Sequence, residues 1–63
     1  MNAQPVLGEQ EWGVVLELLE SEARELPTEI RHTDTSRIRQ ELEGRERMVN
    51  DLVRRLRAAL AEA

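Results

Sequence analysis

The chain has 63 residues, no cysteine and a formal net charge of −4 at pH 7, with 35% of its residues charged. Its length allows one small domain, and the lack of cysteine excludes disulfides and thiolate metal sites, so a partner is the usual remaining source of stability. The net negative charge argues against a general nucleic-acid binder, and no apolar run approaches the roughly 20 residues that span a bilayer. Without the basic and apolar regions of a signal peptide, we expect a cytoplasmic protein with no membrane contact.

The first part of the chain predicts a short N-terminal segment followed by a helix. Residues 1–8 are expected to be flexible, and the helix is predicted over residues 9–31. Gly8 can serve as its N-cap, with Glu11 in the first turn, where a carboxylate is favourable. Pro27 removes one intrahelical hydrogen bond, so we expect a kink near it. The apolar spacing continues beyond this proline, which indicates that the helix does too.

A turn and a second helix follow. The turn is predicted over residues 32–34 and the helix over residues 35–61. Asp34 or Thr35 can accept hydrogen bonds from the free N–H groups at the start of this helix.

Apolar residues in both helices recur at alternating steps of four and three, which is the heptad pattern of coiled-coil packing. When the chain is folded back about Asp34, each position on one stripe meets a position on the other. The predicted fold class is therefore all-α, an antiparallel two-helix hairpin. The predicted hairpin core consists of Trp12, Leu16, Leu19, Ala23, Leu26, Ile30, Ile38, Leu42, Arg45, Val49, Leu52 and Leu56.

Arg45 is the one charged residue on this otherwise apolar seam. Its partner in the folded-back pairing is Ala23, which leaves room for a long side chain to cross the seam. We expect Arg45 to lay its methylenes over Ala23 and to reach a carboxylate at the rim, where Glu20, Glu41 and Glu46 are available.

The chain carries more apolar surface than one seam can cover. Val14, Val15 and Leu18 lie beside the seam of the first helix, and Met48 lies beside that of the second. Helices with such wide apolar stripes contact more than one neighbour. These four residues predict a homodimer interface in a four-helix bundle; an unknown protein partner is the competing interpretation.

The chemistry-bearing residues predict no catalytic, cofactor or metal site. Glu29 and His32 form an E-x-x-H, the spacing used in di-iron bundles, but both lie beside the seam and in the last turn before a loop. We therefore expect a solvated or capping histidine. No nucleophile–base pair or phosphate loop is visible, so we expect a protein that is not an enzyme.

The densest basic patch suggests an alternative function. It consists of Arg47, Arg54, Arg55 and Arg57. A dimer would duplicate this patch, so a small nucleic-acid-binding regulator remains the second hypothesis. Glu43 and Asp51 lie close by, and the chain has no Phe or Tyr for stacking on bases, which favours a solvated mixed-charge face.

Residues 25–56 resemble a sequence segment found in small, uncharacterised bacterial helical-hairpin proteins. The stretch reads ELPTEIRHTDTSRIRQELEGRERMVNDLVRRL. The resemblance implies a hairpin and no particular activity. The leading hypothesis is thus a non-enzymatic helical-hairpin module for protein–protein interaction and oligomerisation.

Overall fold

The structure, a computed structural model, describes residues 4–62 as two helices that pack against each other. Helix α1 spans Glu9–Arg31 and helix α2 spans Ser36–Ala61. No strand occurs within residues 4–62. The all-helical prediction is therefore confirmed, as the preponderance of Glu, Leu, Arg and Ala leads one to expect.

The start of α1 is stabilised by local hydrogen bonds. The Gly8 N–H donates to Glu11 Oε1 at 2.8 Å, and the Trp12 N–H donates to the Gly8 carbonyl at 2.9 Å. Glu9 and Glu11 both lie in the first turn, near the positive end of the helix dipole. The helix continues through Pro27 to Arg31, and the kink expected at this proline stays a prediction.

The connection between the helices is held mainly by Thr33. Its Oγ1 donates to the Glu29 carbonyl at 2.6 Å, and its own carbonyl accepts from Arg39 Nη2 at 2.6 Å. Thr35 is the N-cap of α2, but its side chain makes no capping hydrogen bond; its carbonyl accepts the Arg39 N–H at 2.9 Å. The connection is therefore tied to the last turn of α1 and the first turn of α2.

The core between the helices is small. Leu26, Val49 and Val53 are the buried hydrophobic residues of the described chain. Partly buried side chains pack against them: Leu16, Leu19, Ala23 and Leu42. The extents of the molecule are 41 × 27 × 15 Å, so its smallest dimension is about that of one helix, roughly 10–12 Å with side chains.

Neither α1 nor α2 is both long and apolar enough to cross a membrane. Residues 4–8 precede α1 without regular secondary structure, and residues 1–3 of the predicted N-terminal segment lie outside the described part of the chain.

Candidate functional site

Three of the four predicted interface residues are among the large apolar side chains that the chain exposes. Val14 is 55% exposed, Leu18 is 67% exposed and Met48 is 66% exposed. Val15 is half-buried. Val14 and Val15 lie four and three residues before Leu18, so the three share one side of α1. Their role as an interface stays a prediction.

A cleft between the helices links these residues into one surface. Its volume is about 530 Å³. The side chains that line it are Trp12, Val15, Leu19, Leu52, Arg55, Leu56 and Ala59. Leu18 is one turn along α1 from Val15, and Met48 is one turn along α2 from Leu52, so they border the cleft from opposite sides. We call this surface, from Val14 and Leu18 across the cleft to Met48, the apolar face.

The lining of the cleft limits what it can bind. Arg55 is its one charged residue, and it lies at the edge. Pockets for oriented small ligands combine apolar walls with several convergent polar groups. The cleft continues at the Trp12–Leu56 end into a second one of about 340 Å³, which also contacts Glu9 and Leu60. A long apolar surface of this kind is typical of a site that packs against the side chains of another protein segment.

An ion pair bridges the two helices beside the apolar face. Arg45 donates to Glu22 through two nitrogens, with Nη2 at 3.0 Å from Oε2 and Nε bonded to Oε1. The hydrogen bond from Arg45 holds the pKa of Glu22 below its ordinary value, and the same bond raises the pKa of Arg45. Arg45 keeps 60% of its side chain exposed, so this is a surface pair that fixes geometry more than it stabilises the fold.

A second ion pair bridges the helices between Glu20 and Arg57. Arg57 Nη2 and Nε donate to Glu20 Oε2 at 2.5 Å and 2.9 Å. Glu20 lies two residues before Glu22, so its side chain leaves α1 in a very different direction. The two pairs therefore connect α1 and α2 at different points around the seam.

The basic patch proposed for nucleic-acid binding is largely neutralised within the chain. Arg55 Nη1 donates to Asp51 Oδ2 at 2.9 Å, and Arg54 donates to the other oxygen of the same carboxylate. These two hydrogen bonds lower the pKa of Asp51, which keeps it charged. With Arg57 bound to Glu20, a phosphate would have to displace existing carboxylates. No observation therefore favours the nucleic-acid alternative.

The structure corrects the predicted core in α2. Arg45 is exposed and points to Glu22 rather than to Glu20, Glu41 or Glu46. Ile38 is also exposed, at 41%. Val53, which is not among the predicted core residues, is only 7% exposed. The rest of the predicted core is buried or partly buried: Trp12, Leu16, Leu19, Ala23, Leu26, Ile30, Leu42, Val49, Leu52 and Leu56.

A second heptad stripe in the same sequence accounts for this correction. It also follows steps of four and three, and its members are Leu42, Glu46, Val49, Val53, Leu56 and Leu60. All six are buried or half-buried. The sequence therefore contained the signal for Val53, whereas Ile38 and Arg45 are the exposed members of the predicted stripe.

Glu29 and His32, the residues of the E-x-x-H, are both exposed at the end of α1. The His32 N–H donates to the Thr28 carbonyl at 3.1 Å, so its backbone closes the last turn. Within residues 4–62 no three His, Asp or Glu side chains cluster as metal ligands do.

Comparison of the chain with protein families, curated proteins and solved structures finds no match. The resemblance of residues 25–56 to bacterial hairpin proteins stays a hypothesis. The argument about function therefore depends on the apolar face.

Proposed function

We propose that the chain is a non-enzymatic interaction module, an antiparallel αα-hairpin that pairs through its apolar face with a second copy in a four-helix bundle. The exposure of Val14, Leu18 and Met48 around one apolar cleft is the observation that carries this proposal.

Contacts between the helices, at the end far from the connection and in the middle, support the antiparallel arrangement. Glu9 and Trp12, in the first turn of α1, line a cleft together with Leu60, near the end of α2. In the middle, Glu22 is bonded to Arg45. Residues early in α1 thus meet residues late in α2, and residues further along α1 meet earlier residues of α2.

The thinness of the molecule supports the need for a partner. Stable domains consist of at least two packed layers of secondary structure around one core, whereas this chain is 15 Å thick. It exposes 5330 Å² of surface, against roughly 4,200 Å² for a compact monomer of 7.3 kDa. The excess of roughly 1,100 Å² exceeds the ~800 Å² that each protein buries in a standard interface. Residues 4–8 contribute to it, since Val6 is 97% exposed.

The choice of surface follows from where apolar side chains lie. An exposed apolar patch with a polar surround is typical of a protein interaction site. A second copy would lay its own Val14, Leu18 and Met48 on the same face. This would turn three exposed apolar side chains per chain into a core between four helices.

The proposal is tested by a charge placed on the apolar face and by the same charge placed elsewhere. Leu18→Glu should dissociate the dimer, because two carboxylates would have to be buried in the new core. Asn50→Glu is the matched control: Asn50 is exposed, and it lies two residues from Met48, which turns its side chain away by roughly 200°.

Light scattering coupled to size-exclusion chromatography at micromolar concentration measures the outcome. We expect the native chain and Asn50→Glu at twice the chain mass, and Leu18→Glu at the mass of one chain, 7.3 kDa. A Leu18→Glu variant that stays dimeric would show that another surface mediates self-association.

A further inference from the structure

The edges of the apolar face carry opposite charges, and this determines how a second copy can be oriented. The inference rests on the self-association proposed above. A pair with twofold symmetry can cover the face in two ways. With the axis along the helices, α1 lies against α2 of the partner subunit. With the axis across the helices, α1 lies against α1 of the partner subunit.

The α1 edge of the face is acidic. Glu11, Glu25 and Glu29 stand at steps of seven and four from Leu18, so they project from α1 along one line with it. All three are exposed. Val14 and Leu18 are the apolar residues of this otherwise acidic row.

The α2 edge of the face is mixed and more basic. Arg37 and Arg55 stand eleven and seven residues from Met48, whole numbers of turns, so they project along one line with it. Glu41 is the acidic member of this row, and Arg55 is also bonded to Asp51 of its own helix at 2.9 Å. At the end of the row nearest the connection, Arg37 is opposite in sign to Glu29, the last member of the α1 row.

The positions of these charges along the molecule also match. Glu29 and Arg37 both lie within one turn of the connection, while Glu11 and Arg55 both lie at the Trp12–Leu56 end. Leu18 and Met48 lie between them on their respective edges. We propose that α1 packs against α2 of the partner subunit, with both connections at the same end of the bundle, because Glu29 of each α1 then faces Arg37 of the partner subunit.

The other orientation brings like charges together. If α1 packed against α1 of the partner subunit, the two would run in opposite directions, and Glu29 would approach Glu11 of the partner subunit. Exposed ion pairs add little affinity, but charges at the rim of a helical interface select orientation. The buried apolar side chains are the same in both bundles, so the rim charges decide between them.

Reversing one charge distinguishes the two orientations by the sign of its effect. Glu29→Arg should weaken the dimer several-fold in its Kd, since it would face Arg37 of the partner subunit, and adding Arg37→Glu in the same chain should restore the affinity. In the rejected orientation Glu29→Arg should instead tighten the dimer, by relieving repulsion from Glu11 of the partner subunit.

A distance between the two connections gives the direct test. The chain has no cysteine, so Asp34→Cys provides a single site for a nitroxide label in the exposed connection. Pulsed electron spin resonance should find the labels roughly 10–25 Å apart, since packed helices lie about 8–10 Å apart. A distance near 40 Å, close to the 41 Å length of the molecule, would overturn the orientation and leave the dimer in place. No dipolar coupling, with a monomer mass, would overturn the dimer itself.

Discussion

Gly13, the glycine within α1, has room for a side chain. A Cβ built at Gly13 finds no atom within 4 Å, and its backbone has no positive φ. Gly13→Ala should therefore stabilise the protein by about 1 kcal/mol through helix propensity alone. Thermal unfolding followed by circular dichroism at one fixed concentration measures the gain.

Gly44→Ala is the matched change in α2. Its Cβ would meet Arg47 Nη2 at 3.9 Å, an ordinary contact. We expect a similar gain. A loss of stability at Gly13 would contradict the open surroundings that the structure gives it, and would indicate a close-packed neighbour there.

The ion pair between Glu22 and Arg45 predicts a pH dependence. The pKa of Glu22 is lowered in the folded state. The ion pair therefore stabilises the fold when the pH is above the pKa of Glu22 in the unfolded chain, about 4.3, and this stabilisation is lost as the pH falls through the lowered pKa of the folded state. The native chain and Arg45→Gln should therefore differ in melting temperature near pH 7 at low salt and converge in acid, as the pH falls through the lowered pKa of Glu22.

Nuclear magnetic resonance of the carboxyl groups tests the cause of this effect. In Arg45→Gln the pKa of Glu22 should rise towards its ordinary value. The pKa of Asp51, which is lowered by Arg55 and Arg54, should not change and serves as the control within the same sample. An unchanged Glu22 would mean that the pair does not form in solution.

At the scale of the helix, α2 differs from α1 in offering two apolar stripes instead of one. The stripes share Leu42, Val49 and Leu56 and diverge between them. The first passes through Arg45 and Leu52, and the second passes through Glu46 and Val53. The structure buries Val53, and this lets the Arg45 side chain leave the seam for Glu22.

Val53→Ala tests this placement of α2. Removing buried methyl groups costs about 0.8 kcal/mol for each, so the free energy of unfolding should fall by roughly 1–2 kcal/mol. Val6→Ala is the matched control, since Val6 is 97% exposed. Urea unfolding of both variants at one concentration provides the comparison. Equal effects at the two positions would mean that α2 buries the stripe through Arg45 instead.

The start of α1 was predictable because local chemistry sets it: the Gly8–Glu11 hydrogen bond lies where the sequence placed the first turn. The predicted start of α2 is within one residue of Ser36, although the Thr35 side chain makes no capping hydrogen bond. The rotation of α2 was not predictable in the same way, because two stripes of similar spacing differ by small packing energies. Glu22 was missed as the partner of Arg45 because a long guanidinium can reach several carboxylates, and only the rotation of the helix selects one.

At the scale of the whole molecule, one layer of two helices leaves a surface that two layers would cover. The apolar residues beside the seam predicted this surface, and in the structure Val14, Leu18 and Met48 are exposed while Val15 lines the cleft between the helices. Its occupant was not predictable from spacing alone, because a second copy and another protein would cover the same residues. The mass of the assembly in solution separates these cases.

Sedimentation equilibrium of the native chain at several micromolar concentrations measures self-association without any substitution. We expect twice the 7.3 kDa mass of the chain, together with a melting temperature that rises with concentration, since association stabilises the folded state by mass action. A mass of 7.3 kDa with a melting temperature independent of concentration would contradict it.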